Sequence, residues 1–179
     1  MSNVSPVTGE VIEYDDNVRN TPEASTLRTE LSNLNAGGDV HGFYSSMKAT
    51  SIAERIAVAK ALSSSEAIVD TILGKPVNVV DLIIQAADMI NEQTKQMQVV
   101  PRVVLVTDDG KAYHAISGPL YRDVTNLLGI VGEPSSWGEP VVVSVKREGS
   151  GNRRYFTMDV HGLLSEVEQA NADAAKSGK

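Results

Sequence analysis

The chain has 179 residues, 41% of them hydrophobic, a net charge of −7 and no cysteine. That length gives room for one domain with tails. The missing cysteines exclude disulfides and thiolate metal sites and make a reducing compartment, the cytoplasm, the expected location. No run of about 18 apolar residues occurs, so no membrane span is expected.

Residues 1–40 hold seven acids and two bases, a net of −5. They are rich in Asn, Ser, Thr and Gly. Residues 1–46 therefore read as a mostly disordered acidic segment. Its start, MSNVSPVTGEVIEYDDN, has no basic stretch ahead of an apolar one, so no secretory signal is expected. Residues 41–162 hold 13 acids and 12 bases, a net of −1. The acidity thus belongs mainly to the leading segment, and local field decides where a polyanion docks.

A helix is expected over 51–63. Ser51 and Glu54 form a capping box ahead of an Ile52, Ile56, Ala59, Leu62 stripe. Arg55 and Lys60 on it read as solvent-facing. Val77–Ile90 fits a helical stripe and a strand alternation; its β-branched content favours the strand. Val99–Thr107 and Lys111–Ser117 flank an Asp-Gly dipeptide and read as a hairpin. With Asp109 and Gly110 as a two-residue loop, Asp108 pairs with Lys111. Arg102, Val104, Val106, Lys111, Tyr113, Ala115 and Ser117 then share one face, the open one. Val103, Leu105, Thr107, Ala112, His114 and Ile116 share the other. His114 fits that apolar face badly.

Pro119–Val131 reads as a helix burying Leu120, Val124, Leu127, Leu128 and Val131, ended by Gly132 and Pro134. A second hairpin follows, Val141–Lys146 and Tyr155–Val160. Its Val141 and Phe156 sets face inward, and Lys146, Arg153 and Tyr155 outward. Its tip, KREGSGNRR, places Lys146, Arg147, Arg153 and Arg154 within nine residues. Residues 163–179 read as a flexible tail. The order strand, strand, strand, helix, strand, strand predicts a mainly β OB-fold, a five-stranded Greek-key barrel over 47–162 with one or two helices.

The candidate nucleic-acid contacts are Arg102, Lys111, Tyr113, Lys146, Arg147, Arg153, Arg154, Tyr155 and Trp137. Tyrosines stack on bases while cations follow phosphates, although tyrosine is also an ordinary strand residue. The basic tip reads as a clamp or, more plainly, as a charged turn that discourages edge pairing. Trp137 reads as a base-stacking rim residue or, preferentially, as a cap over the end of a helix or barrel. Phe156 and Met158 read as core. His41, His114 and His161 lack metal-ligand spacing, and no nucleophile, zinc or phosphate-loop motif occurs. No catalytic residue, metal or cofactor is expected.

The run PRVVLVTDDGKAYHAISGPLYRDVTNLLGIVGEP, followed by VVVSVKREGSGNRRYFTMDV, resembles the single-stranded-DNA-binding proteins of tailed bacteriophages. Within these it most resembles replication proteins of phages with Gram-positive hosts. KATSIAERIAVAKAL and DLIIQAADM extend the similarity to about residues 47–160. The resemblance implies an OB-fold that coats and protects single strands in DNA replication or recombination, in the host cytoplasm. It implies stacking and phosphate roles for Tyr113, Tyr155, Arg102, Lys111, Lys146, Arg147, Arg153 and Arg154. Single-stranded RNA, of the same chemistry, is an expected alternative ligand, and replication proteins and a second copy of the chain are the further partners to be expected. Many such proteins end in an acidic tail, whereas here the end is DAAKSGK. The alternative reading is an OB-like interaction module that recruits replication or host proteins.

Overall fold

The computed structural model describes residues 3–4, 11–12, 26–31, 42–91, 94–150 and 154–177. Most of the segment expected to be disordered lies outside these. Within it, Asn3–Val4 pairs with Val11–Ile12. Residues 26–31 are helical, with Leu31 fully buried in the main core.

The elements run β1 (Phe43–Ser45), α1 (Ile52–Ser63), β2 (Glu66–Ala67), the single turn α2 (Ile68–Thr71), β3 (Pro76–Ile90), β4 (Met97–Thr107) and β5 (Ala112–Ile116). Then come α3 (Gly118–Val131), β6 (Val141–Glu148), β7 (Tyr155–Leu163) and α4 (Leu164–Ser177). The protein is mainly β, and its sheet curls into a half-barrel. Spatial order is β2-β5-β4-β3-β6-β7, with β1 also on β3. No described helix is long and apolar enough to cross a membrane.

The β-branched run at Val77–Ile84 resolves the helix-or-strand ambiguity as strand β3, which organises the sheet. It pairs with β6 over Pro76–Val79 and with β4 over Val79–Ile90. A bulge between Val79 and Asp81 lets one strand serve both directions by bending and twisting it. Side chains then alternate between two cores. Leu82, Ile84, Val103, Leu105, Val141, Val143 and Val145 point into the half-barrel. Ile83, Val104, Val106 and Ala112 form a second cluster on the outside, under Val58 and Ala61 of α1. Strands covered on both faces need apolar residues at every position, which is why VVLV reads as a run without alternation.

α3 fills the half-barrel with Leu120, Val124, Leu127 and Leu128. Val131, expected in that stripe, is 46% exposed at the last turn. Ser117 caps α3, its side chain accepting from the Leu120 amide. The same hydroxyl accepts from the Phe156 amide at 3.1 Å and donates to the Phe156 carbonyl at 3.0 Å. Asp123 on α3 accepts from the Met158 amide at 2.9 Å. The otherwise unpaired edge of β7 is thus satisfied by side chains of the α3 region.

Three expectations change. The capping box at Ser51 and Glu54 is present, but α1 buries Val58 and Ala61, and the expected stripe leaves Ile52 and Ile56 in solvent. The helix is alanine-rich, so its apolar pattern does not single out one face. Residues 164–177, read as a flexible tail, are helical. This helix is joined to the connection between α3 and β6, Ser165 donating from its amide and its hydroxyl to Glu139 at 2.8 Å each.

The first hairpin is the third case. Val104 stands opposite His114, Leu105 opposite Tyr113 and Val106 opposite Ala112. The Thr107 amide donates to the Lys111 carbonyl at 2.9 Å, and Gly110 has φ 78°. The loop is therefore the three residues Asp108, Asp109 and Gly110, with the glycine supplying the left-handed position. Asp109 holds it, its carboxylate accepting from the Thr107 hydroxyl at 2.6 Å and the Lys111 amide at 3.3 Å. One extra loop residue moves every β5 side chain to the opposite face from the one expected.

Candidate functional site

The register shift separates the predicted open face. Tyr113 turns inward beside Leu105 and is 7% exposed, within the main core. Arg102 stays on the outer face but lies at the end of α1. Its guanidinium donates to the Leu62 carbonyl at 3.1 Å and to the Ser65 hydroxyl at 2.8 Å. Partial burial lowers its pKa. His114, awkward on the expected face, lies on this outer side with Nδ1 at 3.0 Å from the Ser65 hydroxyl. Burial and the neighbouring Arg102 charge lower its pKa. Arg102, Ser65 and His114 thus form a polar seam between α1 and the sheet.

Lys111 sits in its own turn, with Nζ 3.1 Å from Asp109. That partner raises the lysine pKa, while the Thr107 hydroxyl and Lys111 lower that of Asp109. Trp137 is 8% exposed, and its indole donates to the Gly132 carbonyl at 2.9 Å. It caps the end of α3, the preferred of its two readings, and its ring belongs to the main core.

The second hairpin keeps its candidates together. Cross-strand pairs are Lys146 with Thr157, Arg147 with Phe156 and Glu148 with Tyr155. Val145 and Met158 point inward, as expected from the alternation. Lys146, Glu148, Tyr155, Thr157 and Asp159 share the outer face. Tyr155 is 40% exposed. Arg147 and Arg154 are exposed, and among the described residues neither has a carboxylate partner. Arg153 lies outside the described residues. Lys146 is paired with Asp159, which raises its pKa through the hydrogen bond and the charge.

Below this hairpin an open cleft of about 520 Å³ separates the outer face of β6 and β7 from α4. Ser144, Lys146, His161, Glu166 and Asn171 are among its lining residues. Several of its polar groups are already partnered: His161 Nε2 lies 2.9 Å from the Ser144 hydroxyl, and Lys146 pairs with Asp159. No cluster of histidine and carboxylate suited to a metal occurs among the described residues.

The end of the hairpin thus carries two exposed guanidinium groups with no carboxylate partner among the described residues and, on the face opposite Arg147, an exposed aromatic ring paired across the strands with Glu148. That combination suits a polyanion carrying planar bases: guanidinium forks take phosphate oxygens, and the ring takes a base face. Lys146 and Tyr155 share the outer face expected from the alternation, whereas Arg147, paired with Phe156, lies on the other. The model for a family described as phage single-stranded DNA-binding protein, of the Phi29 type, matches residues 38–161. No curated protein and no solved structure matches the chain.

Proposed function

The chain belongs to the Phi29-type phage single-stranded DNA-binding protein family, and on that footing we propose that its β6–β7 hairpin carries the strand. The activity is non-catalytic and tolerant of sequence. It coats and protects single strands during phage DNA replication or recombination, in the host cytoplasm. We read the half-barrel as an OB-fold. Its five long strands follow the spatial order third, second, first, fourth, fifth, with a helix between the third and fourth in the chain. The loop joining the last two strands of that fold is a common oligonucleotide contact.

The observation that carries this reading is the grouping of Arg147, Arg154 and Tyr155 on one exposed tip. Arg153, outside the described residues and next to Arg154 in the sequence, is a further proposed phosphate contact, and Lys146 exchanges Asp159 for phosphate when the strand arrives. Tyr113 and Trp137 support the fold from within, and Arg102 and Lys111 act in their own local networks.

The test is a titration of labelled polythymidine and of duplex DNA by anisotropy, at several salt concentrations. Because Trp137 is buried, a labelled strand is a better reporter than intrinsic fluorescence. Single strand should bind more tightly than duplex. The slope of log affinity against log salt should be roughly −3, about −0.7 for each of four neutralised phosphates. Equal affinity for the two forms refutes the proposal.

A further inference from the structure

α1 presents an apolar row that is in neither core cluster of the described residues. Ile52 is 75% exposed and Ile56 50%. At 3.6 residues per turn, Ile52, Ile56, Ala59 and Ser63 fall in line, opposite the Val58 and Ala61 side that packs on the sheet. Arg55 flanks the row on one side and Lys60 on the other, with Lys48 just ahead of the helix. Among the described residues none of these three cations has a carboxylate partner. The Arg55 guanidinium reaches only the Ala49 and Thr50 carbonyls, at 3.1 and 3.3 Å. Glu54, the nearby acid, is used in the cap, accepting from the Thr50 and Ser51 amides at 2.9 and 2.8 Å.

We infer that this face of α1 docks an acidic amphipathic segment of another protein. Such a segment lays aliphatic residues at helical spacing along Ile52 and Ile56 and sets Asp or Glu against Lys48, Arg55 and Lys60. Two observations favour it. The exposed positions carry isoleucine, a poorer helix former than the alanines around it, where solvent alone imposes no apolar side chain. The rim is uniformly positive, the complement of an acidic helix in groove-type recognition. Nucleic acid fits less well, because the row holds no aromatic ring for a base to stack on. The inference goes beyond the DNA-binding reading, since it concerns different elements from the β6–β7 hairpin.

The test uses a synthetic helical peptide with leucines at positions 1, 4, 5 and 8 of its apolar face and glutamates beside them. Controls replace leucine by serine, or glutamate by lysine. Binding to the full chain is followed by anisotropy, with polythymidine binding and sedimentation measured in parallel. The peptide should bind, and both controls should bind at least tenfold more weakly. Ile52→Gln with Ile56→Gln should weaken the peptide at least tenfold while leaving polythymidine affinity and the circular dichroism spectrum unchanged. Arg55→Glu with Lys60→Glu should exchange preference toward the lysine peptide. The inference is overturned if the peptide fails to bind wild type, or if the isoleucine variant binds it equally. It is also overturned if that variant instead loses polythymidine affinity, assigning the face to nucleic acid. Conversion from dimer to monomer assigns the face to a second copy and likewise overturns it.

Discussion

Two tyrosines that look alike in sequence should behave in opposite ways. Replacing Tyr155 by alanine removes a ring that is 40% exposed at the end of β7, opposite Glu148. Little core contact is lost, so stability should change by under about 1 kcal/mol. Binding should weaken by the stacking contribution of one base, about 1–3 kcal/mol, or roughly 5- to 150-fold in affinity. Replacing Tyr113 by alanine empties a site that is 7% exposed among Leu105 and the α3 leucines. Truncating a buried aromatic costs about 3–5 kcal/mol, a large part of a total that is commonly about 5–15. Urea melts followed by circular dichroism and anisotropy titrations with labelled polythymidine, run on both variants, separate the two effects. Tyr113→Phe keeps the ring and should leave affinity as it is. If Tyr155→Ala binds normally while Tyr113→Phe loses affinity in a folded protein, the placement of the strand on the second hairpin is wrong.

Ser117→Ala should remove the cap of α3 and both contacts to Phe156 at once, costing about 2 kcal/mol and lowering Tm by roughly 4–8 °C; an unchanged calorimetric Tm refutes the bridging role. The third prediction concerns pH. His114 has a folded pKa below its ordinary 6.5, so the folded protein binds fewer protons than the unfolded chain once pH falls under that value. Stability is therefore retained above about pH 6.5 and declines as pH drops toward the folded pKa. His114→Gln should flatten the part of the Tm–pH curve just below 6.5, and curves of the same shape for both proteins contradict this.

The second hairpin was legible because its alternation holds from Val143 to Glu148 and from Tyr155 to Met158; it fails beyond, where a bulge opposite Val142 and Val143 leaves Val160, expected inward, 49% exposed. The first was not, because TDDGK supports both a two-residue and a three-residue loop. The choice between them was made by the Thr107 and Asp109 side chains and by the core's acceptance of Tyr113 beside Leu105. The misfit of His114 on the apolar face was the signal in the sequence that the register was off by one. α1 was legible in its boundaries, since Ser51 and Glu54 cap it chemically. Its orientation was not, because alanines at 53, 57, 59 and 61 leave apolar surface all round. The tail helix over Leu164–Ser177 carries too little apolar surface to announce itself. Its first turn is placed by Glu139, a residue 26 positions away from Ser165.

The join between β7 and the α3 region has a mechanical consequence. A backbone ladder that yields must slip in steps of two residues to restore its pattern of inside and outside. Ser117 and Asp123 act instead as two latches, each with its own catch on β7. Latches release and re-engage at the same positions, so opening of this edge is expected to be local and to leave the β6–β7 register in place. Amide exchange at Phe156 and Met158 should record that local opening ahead of global unfolding.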